Sequence, residues 1–471
     1  MKVFDSRDIR NVALVGHKAC GKTSVAEAAL WTAQATQRLG STTAGTSVLD
    51  YEDEEQKRVM STSTSLGALQ WKKTKINLLD TPGDSNFLKD TQCALQAADG
   101  AVCVVSAKDG VEPMTERVYA WAKDAGLVRA FFISKMDADN ADFQAAMLSI
   151  KNTLEQSCTA VQFPLGEGSN FRGVVDLLTQ RAYLFEDGDR GNVKEADVPA
   201  DMADEVEHAR NTLIEDIASN DEALMEKFFE DILTSEEIIE GLAKAMAAGQ
   251  IVPVFCGSGP LNRGVNLLLD MLVSSFPNPT AVPPRTGTLD QIPTERTPDP
   301  EGPLTCLCFK TIVDQHAGKI SVMRVLSGAA LSDSSLKNAS RNHTSERLGA
   351  LQRLLGKKME PVEVAPLGDI FAVAKLKDVH TGDTLSSDGF AADTAKLAPA
   401  LIARAVDTKD HGAEDKLSAA LQRIVEEDPG LSLSRDAQSG QILLSGTGQQ
   451  HIEVAIEKMQ RKFGVSAKLN L

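Results

Sequence analysis

A glycine-rich loop near the amino end constrains the fold of this 471-residue chain more than any other feature. Residues 12–15 form a short apolar run, and residues 24–30 have a helical pattern. Between them stand Gly16, His17, Lys18, Ala19, Cys20, Gly21, Lys22 and Thr23. This satisfies G-x-x-x-x-G-K-[ST] between strand and helix, where backbone N–H groups hold phosphate oxygens. The sequence predicts a nucleotide phosphate site, and a plain strand-to-helix turn is the alternative.

Two side chains of this loop have a defined chemistry. Lys22 is expected to reach the outer phosphates of the nucleotide. Thr23 is expected to place its hydroxyl on Mg²⁺, which neutralises the charge that develops between the β- and γ-phosphates during transfer. Ser24, the next residue, completes the predicted phosphate-binding segment.

A second short motif follows the apolar strand predicted at residues 76–79. It reads Asp80, Thr81, Pro82 and Gly83. Asp80, at the end of the strand, is expected to hold Mg²⁺ through water, and Gly83 to give its N–H to the γ-phosphate. An ordinary turn is the alternative for these four residues alone.

A third motif points to guanine. Ser134, Lys135, Met136 and Asp137 come directly after the strand at residues 131–133. The carboxylate of Asp137 can accept both the ring N–H and the exocyclic amine hydrogens of guanine, a pairing that adenine does not offer. Lys135 is expected to lie along the base. The predicted ligand is GTP or GDP, with a cluster of surface charges as the alternative.

The composition excludes several classes of protein. Hydrophobic residues make up 42% of the chain and charged residues 24%, which is typical of a folded globular protein. No apolar run approaches the roughly 20 residues that cross a bilayer, and the first residues lack the core of a secretion signal. A net charge of −17 argues against binding DNA across a broad face. We expect a monomer in the cytoplasm, with no membrane contact and with seven reduced cysteines.

The pattern of elements predicts an α/β domain at residues 1–276. Strand candidates at 12–16, 76–79, 101–106, 130–134 and 251–255 alternate with helical patterns, which favours a parallel sheet. At about 158–250 the alternation breaks into an insertion that is poor in strands and has helices at 201–217 and 235–247. Residues 277–303 hold eight of the eighteen prolines, which predicts an extended linker.

Two smaller domains are predicted after this linker. Short strand patterns at 305–313, 320–326, 350–354 and 370–373 indicate a β-barrel over residues 304–390. The order in residues 397–471 is strand (401–406), helix (414–427), two strands (431–435 and 441–445), helix (450–463) and strand (465–471). This β-α-β-β-α-β order is the ferredoxin-like motif.

The three motifs, with Cys256, Gly257 and Ser258 after the last sheet strand as a fourth, resemble the translational GTPases, and elongation factor G most closely. In that family the fourth motif touches guanine through backbone groups. Residues 50–51 and 55–61 resemble the first switch, 80–87 the second switch, and 163–176 the start of the inserted subdomain. The barrel and the last domain match through Gly318-Lys319-Ile320, Arg324-Val325, Ser327-Gly328, Gly446-Thr447-Gly448 and His451-Ile452-Glu453. The resemblance implies binding of GTP with Mg²⁺ and action on the ribosome.

Several residues depart from the family pattern. Asp84 stands where the family has the histidine that positions the attacking water, so Asp84, Lys22 and Gly83 are the catalytic candidates and hydrolysis is expected to be slow. Ser61, in Arg58-Val59-Met60-Ser61, replaces the threonine that binds Mg²⁺. Ala19 replaces an acid of the phosphate loop, and Ser134 replaces an asparagine. These changes indicate a divergent paralogue.

The family carries two further domains, which we expect this chain to lack. The leading hypothesis is a ribosome-linked GTPase. One alternative is a GTP-binding regulatory module that exchanges nucleotide but barely hydrolyses it. Another is a ribosome-protection or release-type relative.

Overall fold

An α/β domain occupies the amino-terminal part of the chain. The computed structural model describes residues 3–186, 190–219, 221–230, 232–341, 344–408 and 414–470. The strands of this amino-terminal domain are β1 (Ile9–Val15), β2 (Ser65–Trp71), β3 (Thr74–Asp80), β4 (Gly100–Ser106), β5 (Val128–Ser134), β6 (Cys158–Ala160), β7 (Gln162–Leu165), β8 (Gly173–Asp176), β9 (Arg181–Phe185), β10 (Val193–Ala196) and β11 (Val252–Cys256). Its helices are α1 (Lys22–Thr32), α2 (Asp53–Arg58), α3 (Leu88–Leu95), α4 (Pro113–Asp124), α5 (Phe143–Thr153), α6 (Ala203–Ala218), α7 (Glu222–Phe229), α8 (Ser235–Ala247) and α9 (Val265–Ser275).

The central sheet places the predicted motifs at one edge. Its order is β2-β3-β1-β4-β5-β11-β6, and all neighbours are parallel except β2 and β3. Strands β3, β4 and β5 are buried along their whole length, as expected for a sheet covered on both faces. Because the carboxyl ends of parallel strands share an edge, the residues that follow β1, β3, β5 and β11 lie near one another.

The inserted region contains strands that the sequence did not predict. Strands β7 to β10 form an antiparallel sheet in the order β10-β9-β8-β7, so the expectation of a strand-poor insertion was wrong. These strands are only four or five residues long, and Pro164 and Gly173 lie inside β7 and β8. Such residues are typical of turns, which hides the short strands in the sequence.

The proline-rich segment is also more ordered than an extended linker. It contains a hairpin of β12 (Arg285–Leu289) and β13 (Ile292–Arg296), and β12 pairs further with a barrel strand at Ala391–Ala392. Pro293 lies in β13, which is the edge strand of this three-stranded sheet. An edge position tolerates proline because one side of the strand needs no N–H donor.

The next domain is the β-barrel. Its strands are β14 (Thr305–Asp314), β15 (Gly318–Ser327), β16 (Ala330–Leu331), β17 (Ser335–Asn338), β18 (Ser345–Arg347), β19 (Leu351–Leu355), β20 (Lys358–Val362), β21 (Val364–Ala365), β22 (Ile370–Ala374), β23 (Thr384–Ser386) and β24 (Ala391–Ala392). Most of them pair in the order β18-β17-β23-β14-β15-β22-β19. Leu355 of β19 also pairs with Gly67 of β2, so the barrel and the central sheet are hydrogen-bonded to each other.

The third domain confirms the ferredoxin-like prediction. Its elements are β25 (Ile402–Thr408), α10 (Glu414–Glu427), β26 (Ser432–Arg435), β27 (Ile442–Gly446), α11 (Gln449–Phe463) and β28 (Ala467–Asn470). The antiparallel sheet has the order β26-β27-β25-β28, and both helices pack on it around a common apolar core. The last residue of the predicted final strand, Leu471, lies outside the described residues.

Two further findings concern the whole chain. All seven cysteines are buried free thiols. No helix in the described part of the chain is long and apolar enough to cross a membrane.

Candidate functional site

The phosphate loop is built between the end of β1 and the start of α1. Gly16 and Gly21 have φ values of 145° and 104°, which favour glycine, and a Cβ on Gly16 would overlap the carbonyl oxygen of Val104. The Lys22 ammonium donates to the carbonyl oxygens of Gly16 at 3.1 Å and His17 at 2.7 Å. The lysine is thereby held across the loop, where its charge faces an incoming phosphate.

The residues predicted to bind Mg²⁺ lie together beside this loop. The hydroxyl oxygens of Thr23 and Ser61 are 3.1 Å apart. Both carboxyl oxygens of Asp80 and one of Asp50 are buried and accept no hydrogen bond of normal geometry from any described residue. Two hydroxyls beside unpartnered carboxyl oxygens are the hard oxygen ligands that Mg²⁺ prefers, so these residues fit the ion.

The raised pKa values of these carboxyl groups also favour a bound cation. Burial raises the pKa of Asp80 to about 7, and burial together with the charge of Asp80 raises the pKa of Asp50 to about 7. Buried carboxylates repel one another unless a cation neutralises them. Within the described ranges, no three His, Cys, Asp or Glu side chains form a metal site by themselves. A cation here would therefore need ligands beyond the side chains, as Mg²⁺ does when it binds nucleotide phosphates.

Gly83 of the second switch lies directly on the phosphate loop. A Cβ at this position would be 2.5 Å from the carbonyl oxygen of Gly16 and would also overlap the Lys22 ammonium. Only glycine can bring its backbone so close to the loop. Its backbone is thereby held against the loop, and the role of its N–H at the outermost phosphate stays a prediction.

Asp84, the next residue, is held by three hydrogen bonds. Its Oδ2 accepts from the Lys18 ammonium at 3.1 Å, and its Oδ1 accepts from the backbone N–H and the side-chain amide of Asn86 at 3.0 Å and 2.8 Å. Burial favours the neutral acid, but the hydrogen bonds from Asn86 and Lys18 outweigh it and lower the pKa of Asp84. Asp84 is therefore a fixed, ionised carboxylate.

The predicted guanine motifs follow β5 and β11. The Ser134 hydroxyl donates to the carbonyl oxygen of Cys20, which links this motif to the phosphate loop. Lys135 has a left-handed backbone with φ of 57°, and Asp137 lies half-buried in the turn that follows. The backbone of Gly257 donates to Ile133 and accepts from Met136, so the fourth motif is hydrogen-bonded to the third.

The structure brings most of the predicted residues to one cleft of about 250 Å³. Its lining includes Lys18, Ala19, Gly21, Lys22, Thr23, Ser24, Ser61, Gly83, Ser134 and Lys135. Six predicted residues surround the cleft without lining it: Gly16, Cys20, Asp80, Cys256, Gly257 and Ser258. Asp137 also lies outside the lining. The ring of His17 packs on the start of α4, where its Nδ1 accepts from the backbone N–H of Met114 at 3.4 Å.

Two acidic residues of this site received no role from the sequence. Asp50 lies in the lining of the cleft. The Oε1 of Glu27, on α1, accepts from the Ser47 hydroxyl at 2.6 Å and from the backbone of Val48 and Leu49. Glu27 thus anchors the loop that leads into the first switch. Its signal in the sequence is an acid among the alanines and leucine of α1, which is a small cue for a residue that the fold buries completely.

The third domain contacts both switches. Arg58 of α2 forms two hydrogen bonds with the Glu457 carboxylate, each of 2.8 Å, and Arg461 of α11 pairs with Glu52 and Glu54. At the second switch, the ring of Phe87 packs edge-on against His451 with centroids 5.4 Å apart. A displacement of either switch would therefore alter the contacts of α11.

Comparisons with known proteins match three parts of the chain. The elongation factor Tu GTP binding domain matches residues 7–278, elongation factor G domain 2 matches 303–388, and elongation factor G domain III matches 397–470. The chain belongs to the translational GTPase family. It is a GTP-binding protein that resembles elongation factor G, and members of the family hydrolyse GTP.

A solved structure supports this membership of the translational GTPases. The chain is similar to ttk003000868 of Thermus thermophilus, known from a crystal structure, with 31% sequence identity and a TM-score of 0.87. The match covers 98% of this chain and 67% of the other. These comparisons do not bear out the expectation that the family's last two domains are lacking.

Proposed function

We propose that this translational GTPase is a monomeric, cytoplasmic factor that acts on the ribosome and hydrolyses GTP slowly by itself. The observation that carries the proposal is the fixed carboxylate of Asp84 beside the phosphate loop, held by Lys18 and Asn86. Slow hydrolysis in isolation is the expected consequence, with the ribosome as the agent that speeds it.

The chemistry of Asp84 explains the slow step. A group that orients the attacking water needs an acceptor directed at that water, but the hydrogen bonds from Lys18 and Asn86 fix the Asp84 carboxylate on those two neighbours. A negative charge near the γ-phosphate also repels the phosphate. Loss of a well-placed catalytic group costs roughly 10²- to 10⁴-fold in rate. Lys18 offsets part of the repulsion because its ammonium pairs with the carboxylate.

The remaining residues would perform the usual tasks of the family. Lys22 and the backbone of the loop would hold the β- and γ-phosphates, and Thr23, Ser61 and Asp80 would hold Mg²⁺, directly or through water. When bound, this ion neutralises the charge that develops between the two phosphates. The N–H of Gly83 would bind the γ-phosphate and couple its presence to the second switch.

The contacts of the third domain with the switches support a change of domain arrangement on the ribosome. Because α11 pairs with the first switch and His451 packs on the second, release of the γ-phosphate would loosen both contacts. This arrangement suits a factor that changes its domain arrangement on the ribosome. The ribosome itself is inferred from the family.

The test is a single-turnover GTP hydrolysis assay with and without ribosomes. We expect slow cleavage by the protein alone and clear stimulation by ribosomes. Asp84→His should raise the rate by at least about tenfold, because a histidine supplies a free acceptor for the water. Asp84→Asn, which removes the charge and keeps one oxygen that can accept from Asn86 while losing the bond from Lys18, is the matched control and should give little gain.

A second candidate is a GTP-binding regulatory module with little hydrolysis. It is favoured by Val59, which has a left-handed backbone with φ of 50° where the family has glycine, together with Asp84 and Ala19. Measurable GTP binding without ribosome-stimulated cleavage would leave this candidate and overturn the first. Stimulated cleavage that accompanies peptide release or antibiotic displacement would instead identify a release-type or protection-type relative.

Base recognition has its own test. Asp137→Asn should change the preference from guanine to xanthine nucleotides, because an amide can donate to the extra carbonyl of xanthine. Equal binding of GTP and ATP by the unmodified protein would overturn the assignment of Asp137.

A further inference from the structure

A cleft of about 400 Å³ lies away from the nucleotide site. Its walls come from the end of α3 and the residues just before β4, the end of α4 with the start of β5, the end of α8, the proline-rich segment with its hairpin, and the barrel. Cavities of this size are large enough for a small organic molecule. We call it the arginine cleft, because Arg285, Arg296 and Arg324 line it.

Arg324 has hydrogen-bond donors that have no acceptor among the described residues. It is only 3% exposed, and its Nη2 donates to the carboxylate of Asp99. Its Nε and Nη1 are buried and have no hydrogen-bond partner among the described residues. A buried donor without a partner costs about 1–3 kcal/mol, so this guanidinium is suited to donate hydrogen bonds to a ligand oxygen.

Arg285 adds a second guanidinium to the cleft. Its Nη2 donates to the neutral carbonyl oxygen of Gln96 at 2.6 Å. Burial and the nearby charge of Arg324 lower the pKa of Arg285 to about 10, so it is still protonated at neutral pH. The third arginine, Arg296, is occupied by Asp388 at 2.6 Å and stacks over Phe390.

Two of the three arginines are paired with acids, which leaves Arg285, bonded to a neutral carbonyl, to supply the positive charge of the cleft. The acidic residues of the lining are Asp99, which already pairs with Arg324, and Asp124, which is exposed. The remaining walls are largely apolar and include Pro279, Pro283 and Leu326. The cleft therefore combines a positive end with apolar sides.

We propose that the arginine cleft binds a small organic anion, whose carboxylate or phosphate group is held by Arg285 and Arg324 and whose apolar body lies on the proline-rich wall. Guanidinium groups are the usual partners of such anions because their N–H groups match the oxygens in charge and geometry. An occupant would bridge the amino-terminal domain and the barrel, and it would stabilise their contact in proportion to its binding.

The experiment is calorimetric titration of the full chain, saturated with GDP and Mg²⁺ so that the phosphate loop is filled. The probes are benzoate, phenyl phosphate and inorganic phosphate. We expect saturable binding of benzoate, phenyl phosphate or both, and weaker binding of inorganic phosphate, which lacks an apolar body. Whichever organic probe binds more tightly identifies the anionic group.

Variants locate the binding. Arg285→Gln should weaken binding by at least about tenfold, and Arg285→Lys by less, because the charge is kept. Arg347→Gln is the matched control, since it removes one charge from an exposed barrel strand and should leave binding unchanged. Ala281→Trp places a large ring in the cleft and leaves all three arginines in the sequence, and it should abolish binding. It provides a second variant if Arg285→Gln does not fold.

Several outcomes would overturn the proposal. The first is no saturable signal with either organic probe up to about 10 mM, a concentration at which even millimolar affinity is visible. The second is equal binding by the unmodified protein and folded Arg285→Gln or Ala281→Trp. Tighter binding of inorganic phosphate than of phenyl phosphate would show that the apolar wall takes no part.

Discussion

The amino-terminal domain meets its two neighbours through interfaces of different character. Towards the barrel, the contacts reach the sheet strands and α3: Lys75 of β3 pairs with Asp369 at 2.5 Å, and Asp90 of α3 pairs with Lys310 at 3.1 Å. Both pairs are buried, and the pairing of Gly67 with Leu355 extends the central sheet into the barrel.

Towards the third domain, the contacts reach the switches. The pairs of Glu457 with Arg58 and of Arg461 with Glu54 are partly exposed, whereas Lys462 and Glu52 form a buried pair. Phe87 of the second switch packs against His451. Exposed pairs contribute little each and break readily, whereas a buried pair that loses one partner leaves a costly charge. The barrel is therefore attached to strands and a helix of the domain core, while the third domain is attached to the two switches through one buried pair and several partly exposed pairs.

The largest expected effect comes from the barrel interface. Asp369→Asn removes the charge that faces Lys75, which is 4% exposed, and should lower the free energy of unfolding by about 3 kcal/mol. Urea unfolding measures it. Asp333→Asn is the control, because Asp333 and its partner Arg347 are both exposed, and it should change stability by less than about 0.5 kcal/mol. Equal losses in the two variants would contradict the picture of a firm, buried interface.

The next effect concerns the docking of the third domain. Arg461→Gln leaves Glu52 and Glu54 without this partner and should weaken docking by about 1–2 kcal/mol, between the values for exposed and buried pairs. Hydrogen exchange should increase in α11 and α2 while the barrel stays protected. Lys57→Gln, which removes from α2 an exposed cation that lies 3.9 Å from Glu457, should have almost no effect. Faster exchange throughout the barrel would show that the two interfaces are not independent.

A substitution at Val59 should stabilise the first switch, which contacts the third domain. Val59 is a β-branched residue in a left-handed conformation, which costs about 1–2 kcal/mol. Val59→Gly should relieve most of this strain, less the entropy lost by glycine, for a net gain of about 1 kcal/mol in the docked first switch. Slower hydrogen exchange of α2 would report it. Val59→Ala keeps a Cβ and should recover only part of the gain; a larger gain than from glycine would rule out backbone strain as the cause.

The smallest effect is the expected weakening of third-domain docking at mildly acidic pH. Attraction to Lys462, Lys458 and Arg461 outweighs burial and lowers the pKa of Glu52, and the hydrogen bonds from Arg58 lower the pKa of Glu457. Because the separated groups bind protons more readily, docking is fully stabilised above their ordinary pKa near 4.5 and is lost as the pH falls below it. Exchange of α11 between pH 7 and about pH 4 measures this. Glu457→Gln should show a smaller response to pH, and an unchanged response would exclude this carboxyl as a contributor.

The sequence predicted the parts of the molecule that depend on local backbone geometry. Gly16 and Gly83 could be placed correctly because the loop and the second switch admit no other residue there. The strands that carry these motifs are long and largely apolar, so their position was also clear.

Long-range contacts could not be predicted in this way. Arg58 and Glu457 are 399 residues apart, and both look like ordinary surface charges in the sequence. The pairing of Lys18 with Asp84 is similar, because Lys18 stands at a variable position of the phosphate loop and Asp84 alone suggests only a departure from the family pattern. The inserted sheet was missed because its short strands contain proline and glycine.

Because every cysteine is buried, introduced cysteines can be labelled selectively to follow the movement of the third domain. Thiol-reactive dyes attack the exposed thiolate, and burial raises the pKa of the Cys93, Cys306 and Cys308 thiols well above the ordinary value. A cysteine introduced at exposed Leu401 of the third domain, with another at exposed Leu331 of the barrel, would therefore be labelled selectively in the native protein. Energy transfer between the two fluorophores would then follow the departure of the third domain from the switches, one molecule at a time.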